Sequence, residues 1–197
     1  MGKVAGRTDW KDGFLFVGNE PVLDFVNTRP VQDGKPMELL KAAGLLRPGE
    51  VTSLERQWES TARAQRTTEA LRELREDLRN EILSWGHGGA IHGSTINHLN
   101  SLLADHPMRT KLKANGSAPL AELWFEVREP EDLFAPLAHG AASLFTTADR
   151  KRVRKCARCV LHFHDTSKKG TRRWCSMRLC GNRLKVAAYA ARQRKHN

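Results

Sequence analysis

Apolar residues recur every three or four positions at Leu71, Leu74, Leu78, Ile82 and Trp85, with charges of alternating sign between them. Such a stripe predicts an amphipathic helix packed on a core rather than a cofactor-binding face. The helix-rich stretch from Pro48 to Trp85 is expected to break near Thr61 to Thr67 into two antiparallel helices. A second stripe, Leu133, Leu137, Ala141, Leu144 and Phe145, predicts another helix from Glu131. Shorter helices are expected where caps precede apolar runs: Asn19 opening one through Thr28 with Pro21 in its first turn, residues 33–36 opening one that Gly44 ends, and Ser94 opening one to Asp105. Gly86 to Gly89 reads as a turn, since no strand precedes it and no Gly-Lys-Ser or Gly-Lys-Thr follows.

The period changes from about 3.6 to 2 in two places. Arg109 to Ala114 and Leu120 to Val127 alternate around Asn115-Gly116, predicting a β-hairpin over about 109–127. Near the C-terminus, Val160 to Asp165 alternates, Ser167 to Gly170 supplies a turn, and Thr171 to Cys175 is expected to return as the partner strand. From Met177 a helix is predicted, with Leu184, Ala187, Ala188 and Ala191 on one side. The chain is therefore expected to be mainly α with a small β-hairpin, an α+β protein. It divides into a helical domain over 1–149 and a treble-clef-like unit over 150–197, built from a knuckle, a β-hairpin and an α-helix. No Pro/Gly-rich linker separates them, so the second unit is expected to dock on the first or to join it through a helix. No run is long and apolar enough to predict a membrane span.

Charge sharpens the division. Of 33 basic and 22 acidic residues, residues 150–197 hold 16 basic ones and a single acid, Asp165, leaving 17 basic and 21 acidic before them, so a +15 tail follows a −4 body. Runs such as Arg150-Lys151-Arg152, Lys168-Lys169 and Arg172-Arg173 repel one another unless a polyanion supplies counter-charge, and nucleic acid is the commonest such partner.

All four cysteines lie in the tail: Cys156 and Cys159, then Cys175 and Cys180. Two short-spaced pairs can grip opposite edges of a metal tetrahedron, at about 2.3 Å per Zn–S bond. The N-terminus lacks the secretory pattern, so a reducing cytoplasm and a metal are expected in place of disulfides. Four thiolates leave no open position, which makes the one expected Zn2+ structural. Apolar residues are too sparse in the tail to hold it together unaided. His162 and His164 are expected to face solvent or phosphate instead of the metal.

The residues from Asp165 through Arg172-Arg173-Trp174-Cys175-Ser176 to Cys180-Gly181-Asn182-Arg183 resemble the CGNR zinc finger, named for that last run. The resemblance implies Cys156, Cys159, Cys175 and Cys180 as ligands. Residues 14–28, including Asp24, Phe25, Val26, Asn27 and Thr28, resemble the opening of the ABATE domain, a mostly helical module found before CGNR fingers. Such proteins are described as stress-induced transcriptional regulators of bacteria. The expected function is thus a cytoplasmic bacterial regulator whose zinc-stapled tail binds nucleic acid, DNA ahead of RNA, with the N-terminal domain as sensor or assembly module. Lys168, Lys169, Arg172, Arg173, Arg178, Asn182, Arg183 and Lys185 are the expected contacts, and one of Arg172 and Arg173 is expected to brace Asp165 instead.

An alternative is a protein-interaction adaptor whose basic finger docks on an acidic partner, and a homo-oligomer is also open. Asp24, Asn27 and Thr28 form a polar cluster that either faces a pocket or satisfies neighbouring backbone. No enzyme is expected, for no nucleophile elbow, H-E-x-x-H or Walker loop occurs. A remote alternative, a metal-dependent nuclease, would need His162 and His164 to work with Asp165 at an open metal position.

Overall fold

The computed structural model describes residues 9–28, 40–46, 58, 61–182, 186 and 193. The helix expected from residue 33 to Gly44, apart from its last turn at residues 40–42, the first of the two helices expected from Pro48, apart from residue 58, and the tail helix beyond 182 lie outside them. That turn ends where the Gly44 N–H bonds to the Lys41 carbonyl, with Gly44 in the left-handed region at φ +79°.

The longest element is α2, Ala62–Gly86, preceded by the short α1, Pro21–Val26. Thr61 starts α2: its backbone is extended and its hydroxyl accepts from the Ala64 N–H at 3.2 Å, satisfying one of the donors that a helix start leaves free. All five members of the expected stripe are buried. Next come α3, Gly93–Asp105, and α4, Phe134–Thr147, which enters through a 3-10 turn at Pro130–Leu133. Helix α1 lies at the centre, packed on α2 and on α4, where Leu137, Ala138 and Ala141 are fully enclosed.

Two expected caps are corrected. Glu20, not Asn19, occupies the N-cap of α1. Asn19 instead sits at φ +63° and its side-chain amide donates to the His164 carbonyl at 2.8 Å. Ser94 does not cap α3. Its N-cap is His92, and the buried Glu81 of α2 accepts from the His92 N–H at 3.2 Å and the Thr95 hydroxyl at 2.6 Å. A carboxylate reaching over from a neighbouring helix satisfies the helix start better than a local hydroxyl. Burial alone would raise the pKa of Glu81, but the bonds from Thr95 and His92 prevail and it lies below the usual value.

Among the described residues three antiparallel strand pairs form, one more than expected in the body and one differently built in the tail. The new pair joins β1, Trp10–Lys11, to β2, Phe14–Leu15, around Asp12 and Gly13, both at positive φ. The expected hairpin joins β3, Arg109–Lys113, to β4, Leu120–Trp124, in the register Arg109↔Trp124 to Lys113↔Leu120. Leu112 and Leu123 share one of its faces and are exposed. In the tail, β5, Val153–Lys155, pairs with β6, His162–His164.

That last pair corrects the expected partnering of 160–165 with 171–175. One edge of β6 is taken by β5, and the other is covered by the N-terminal segment. The Asn27 side chain donates to the His162 carbonyl and accepts the His162 N–H, both at 2.8 Å, while the His164 N–H bonds to the Gly18 carbonyl at 2.8 Å. No edge is left for residues 171–175. The knuckle is therefore the turn of the β5–β6 hairpin and not an element ahead of it.

Replacing Glu81 by alanine strands the start of α3 and should lower stability by about 2 kcal/mol, with faster amide exchange at Thr95 and Ile96. Unchanged stability would show that water replaces the carboxylate without loss.

Candidate metal centre and basic face

Cys156 follows β5, and its N–H closes the knuckle onto the Leu161 carbonyl at 2.8 Å. The Ala157 N–H then bonds to the Arg173 carbonyl at 2.9 Å, drawing the segment that carries Cys175 alongside. Ser176 caps the next turn: its hydroxyl accepts from the N–H groups of Arg178 and Leu179 at 3.2 Å. That turn is a single π-helical one, Met177–Gly181, and it delivers Cys180. Gly181 is needed there, since a Cβ would fall 2.9 Å from the Trp174 ring and 2.6 Å from the Met177 sulfur.

The four sulfurs lie within 4.8 Å of one another, and Cys175 Sγ is 3.7 Å from both Cys159 Sγ and Cys180 Sγ. A tetrahedron with Zn–S bonds of about 2.3 Å has edges of about 3.8 Å. The thiols also need a cation. Burial and the neighbouring sulfurs push Cys175 far up and Cys180 to about 11. Burial would raise Cys156 too, but N–H groups of Cys175, Arg158 and Cys159 bring it down to about 7. One thiolate is thus poised to bind first, and Cys175 and Cys180 ionise only against positive charge. Residues and geometry fit one structural zinc, held by Cys156, Cys159, Cys175 and Cys180. Around the sulfurs pack Leu161 and Phe163, joined by Val17 from the N-terminal segment.

Asp165, the acid of the tail, is wholly buried. Its Oδ1 accepts from the Ser167 N–H at 3.0 Å and hydroxyl at 2.6 Å, and its Oδ2 from the Arg172 N–H at 2.7 Å. Burial raises its pKa, yet these bonds and the nearby Arg154 outweigh it and hold the carboxyl below its usual value. The ion-pair partner is Arg154, 3.9 Å away. This corrects the expectation that the side chain of Arg172 or Arg173 would be the brace. Arg172 turns inward, Nε donating to the Trp174 carbonyl at 2.7 Å and the guanidinium lying 5.0 Å from the Phe163 ring centre. Arg173 is exposed and lies 5.3 Å from the Trp174 ring centre.

The other expected contacts are spread over the finger. Lys168, Lys169, Arg178 and Asn182 are exposed, with Arg178 Nε 3.4 Å from Asp9. Arg183 and Lys185 lie outside the described residues. Arg152 and Arg154, which stand in basic runs but outside the expected contact set, hold the loop that follows β6.

His162 is not solvent-facing as expected. It is 2 % exposed, and neither ring nitrogen has a hydrogen-bond partner among the described residues. Burial first, then Arg79, Lys155 and His87, lower its pKa to about 4. His164 is partly buried and its Nδ1 lies 3.0 Å from Glu20 Oε1. The two rings therefore do not converge with Asp165 on a second metal position; among the described residues, the four cysteines form the group able to hold an ion.

The polar trio of α1 serves backbone. Asp24 Oδ1 accepts the N–H groups of Val17 at 2.9 Å and Gly18 at 2.7 Å, Asn27 holds His162, and the Thr28 hydroxyl donates to the Phe25 carbonyl at 2.7 Å.

Residues 19–148 match the model of the ABATE family, described as "Putative stress-induced transcription regulator", and residues 152–193 match that of the CGNR zinc finger. The chain belongs to the ABATE family and carries a CGNR zinc finger behind the ABATE module. No curated protein matches it.

Chelation should unfold residues 153–181 while α2 and α3 keep their amide protection, since metal binding and folding are coupled in so small a unit. Retained protection in the finger after chelation would refute this. His162 gives a pH signature. Its folded pKa near 4 lies below the ordinary 6.5, so the unfolded chain binds the extra proton. Stability is full above pH 6.5 and falls as pH drops toward 4, by up to about 3 kcal/mol. His162→Phe should flatten that part of the profile, and a ring titration near 6.5 in the native protein would contradict the assignment.

Proposed function

We propose that this protein is a regulator that binds nucleic acid through its zinc-stapled finger, in a reducing cytoplasm that keeps the four thiols available to metal. The observation that carries the reading is the burial of Asp165. With the tail's one acid enclosed, the described surface from residue 150 to 182 presents cationic side chains and no carboxylate. Such a surface is stable beside a polyanion and strained by self-repulsion without one. Lys168, Lys169, Arg173, Arg178 and Asn182, all exposed, are the described side chains that this reading assigns as contacts.

Duplex DNA fits better than single-stranded RNA. Trp174 is half-buried against Gly181, so among the described residues the finger lacks the open aromatic platform on which unpaired bases stack. The helical module acts as the sensor or assembly unit. It reaches the finger through Asn27 and through Arg79, which donates to the carbonyls of Val26 at 3.1 Å and Val160 at 3.5 Å. The exposed Leu112 and Leu123 support a self-association or protein contact on the far hairpin. Catalysis has no part in this reading.

The test is binding of the zinc-loaded chain to a random-sequence duplex over a salt series. The reading requires micromolar or tighter affinity at low salt and a linear log–log decline with a slope of about −0.9 per phosphate neutralised. No binding to duplex or single strand, with capture of an acidic protein instead, would favour the adaptor.

A further inference from the structure

The residues between β6 and Cys175 are held by a network in which almost every inward-facing acceptor is a main-chain carbonyl. Arg152 donates through Nη1 to the carbonyls of Asp165 at 3.2 Å and Ser167 at 2.8 Å. Arg154 donates to those of Gly170 at 2.9 Å and Arg172 at 3.2 Å, and Arg172 to that of Trp174. Gly170, at φ +59°, lies flat on the Arg152 guanidinium; a Cβ there would be 3.0 Å from its Cζ. Asp165 closes the loop from beneath by taking the amides of Ser167 and Arg172.

This arrangement covers part of the loop's negative backbone. The carbonyl oxygens of Asp165, Ser167, Gly170, Arg172 and Trp174, which would repel an approaching phosphate, are neutralised by guanidinium groups. The Lys168 and Lys169 side chains and the Thr171 hydroxyl are exposed, and the main-chain amides of these three residues have no partner among the described residues. Cations and free amides together form the donor set that grips phosphate oxygens. Because the loop is braced before any ligand arrives, little ordering cost remains at binding.

Resting on the nucleic-acid reading above, we infer that residues 165–174 form a preorganised loop that grips the phosphate backbone, with Lys168, Lys169 and Arg173 as contacts. Arg152, Arg154 and Asp165 are its positioning residues. Arg172, whose guanidinium is engaged inside the loop, belongs with the positioning set rather than with the contacts. The fork shape of Arg154 matters as much as its charge, because two carbonyls must be held at once.

The experiment measures duplex DNA binding by the full zinc-loaded chain over a salt series, with inorganic phosphate at matched ionic strength as competitor. The double variant Lys168→Ala/Lys169→Ala should weaken binding about tenfold or more and make the log–log slope shallower by about 2. Arg150→Ala/Lys151→Ala removes equal charge outside the loop and should change the slope by less than half as much. Arg154→Lys keeps the charge and loses the fork, and should weaken binding like the loop variant while zinc content stays native. Free phosphate should not compete.

Equal effects of the two double variants would overturn the loop and leave nucleic-acid binding by net charge. Native-like binding by Arg154→Lys would overturn the positioning role. Competition by free phosphate would reassign the loop to a small anion. A native protein that fails to bind the duplex at low salt would overturn the functional reading and the loop with it. Should Arg154→Lys lose zinc, the exposed lysine variants decide alone.

Discussion

Four sulfurs within 4.8 Å of one another, three of them on buried cysteines, cannot share one site as thiolates unless a dication sits among them. The arrangement of residues 153–181 follows from that constraint. The ion ties the knuckle turn after β5 to the segment ending at Cys175 and to the π-turn that presents Cys180. The apolar cluster around the sulfurs has few other members, chiefly Leu161, Phe163 and the visiting Val17. Burial on this scale cannot hold so cationic a segment, and the metal makes up the difference.

The second organising contact is the seam between the two modules. A strand edge that would otherwise be open is covered on β6 by residues 18–27, through the Asn27 side chain and the Gly18 carbonyl. The apolar packing crosses the seam both ways: Val17 enters the cluster around the sulfurs, and Val153 of β5 enters the core of the helical module. The family matches meet within a few residues of position 150, yet the packing there is continuous. A change in the pose of α1 would be felt directly at β6, which gives the helical module a mechanical route to the finger.

What the sequence made legible was whatever has a period or a fixed spacing. The stripe from Leu71 to Trp85, the alternation across 109–124 and the cysteine pairs are all patterns of that kind. The misses have physical reasons. Val153-Arg154-Lys155 is too short and too charged to read as a strand, and His162-Phe163-His164 looks like a half-exposed strand although its backbone is covered on both edges. The β1–β2 turn did carry a signal, the Asp12-Gly13 pair, which suits the positive φ values found there. Guanidinium bracing by Arg152 and Arg154 has no sequence signature, because any arginine within reach of bent backbone can supply it. The same holds for Glu81, whose service to α3 depends on how two helices meet.

The most direct test of this account is elemental analysis of native, never-chelated protein. The account predicts one zinc per chain, lost together with the fold of the finger when Cys175 is replaced by serine. A chain free of zinc and iron whose residues 153–181 nonetheless remain folded would contradict it.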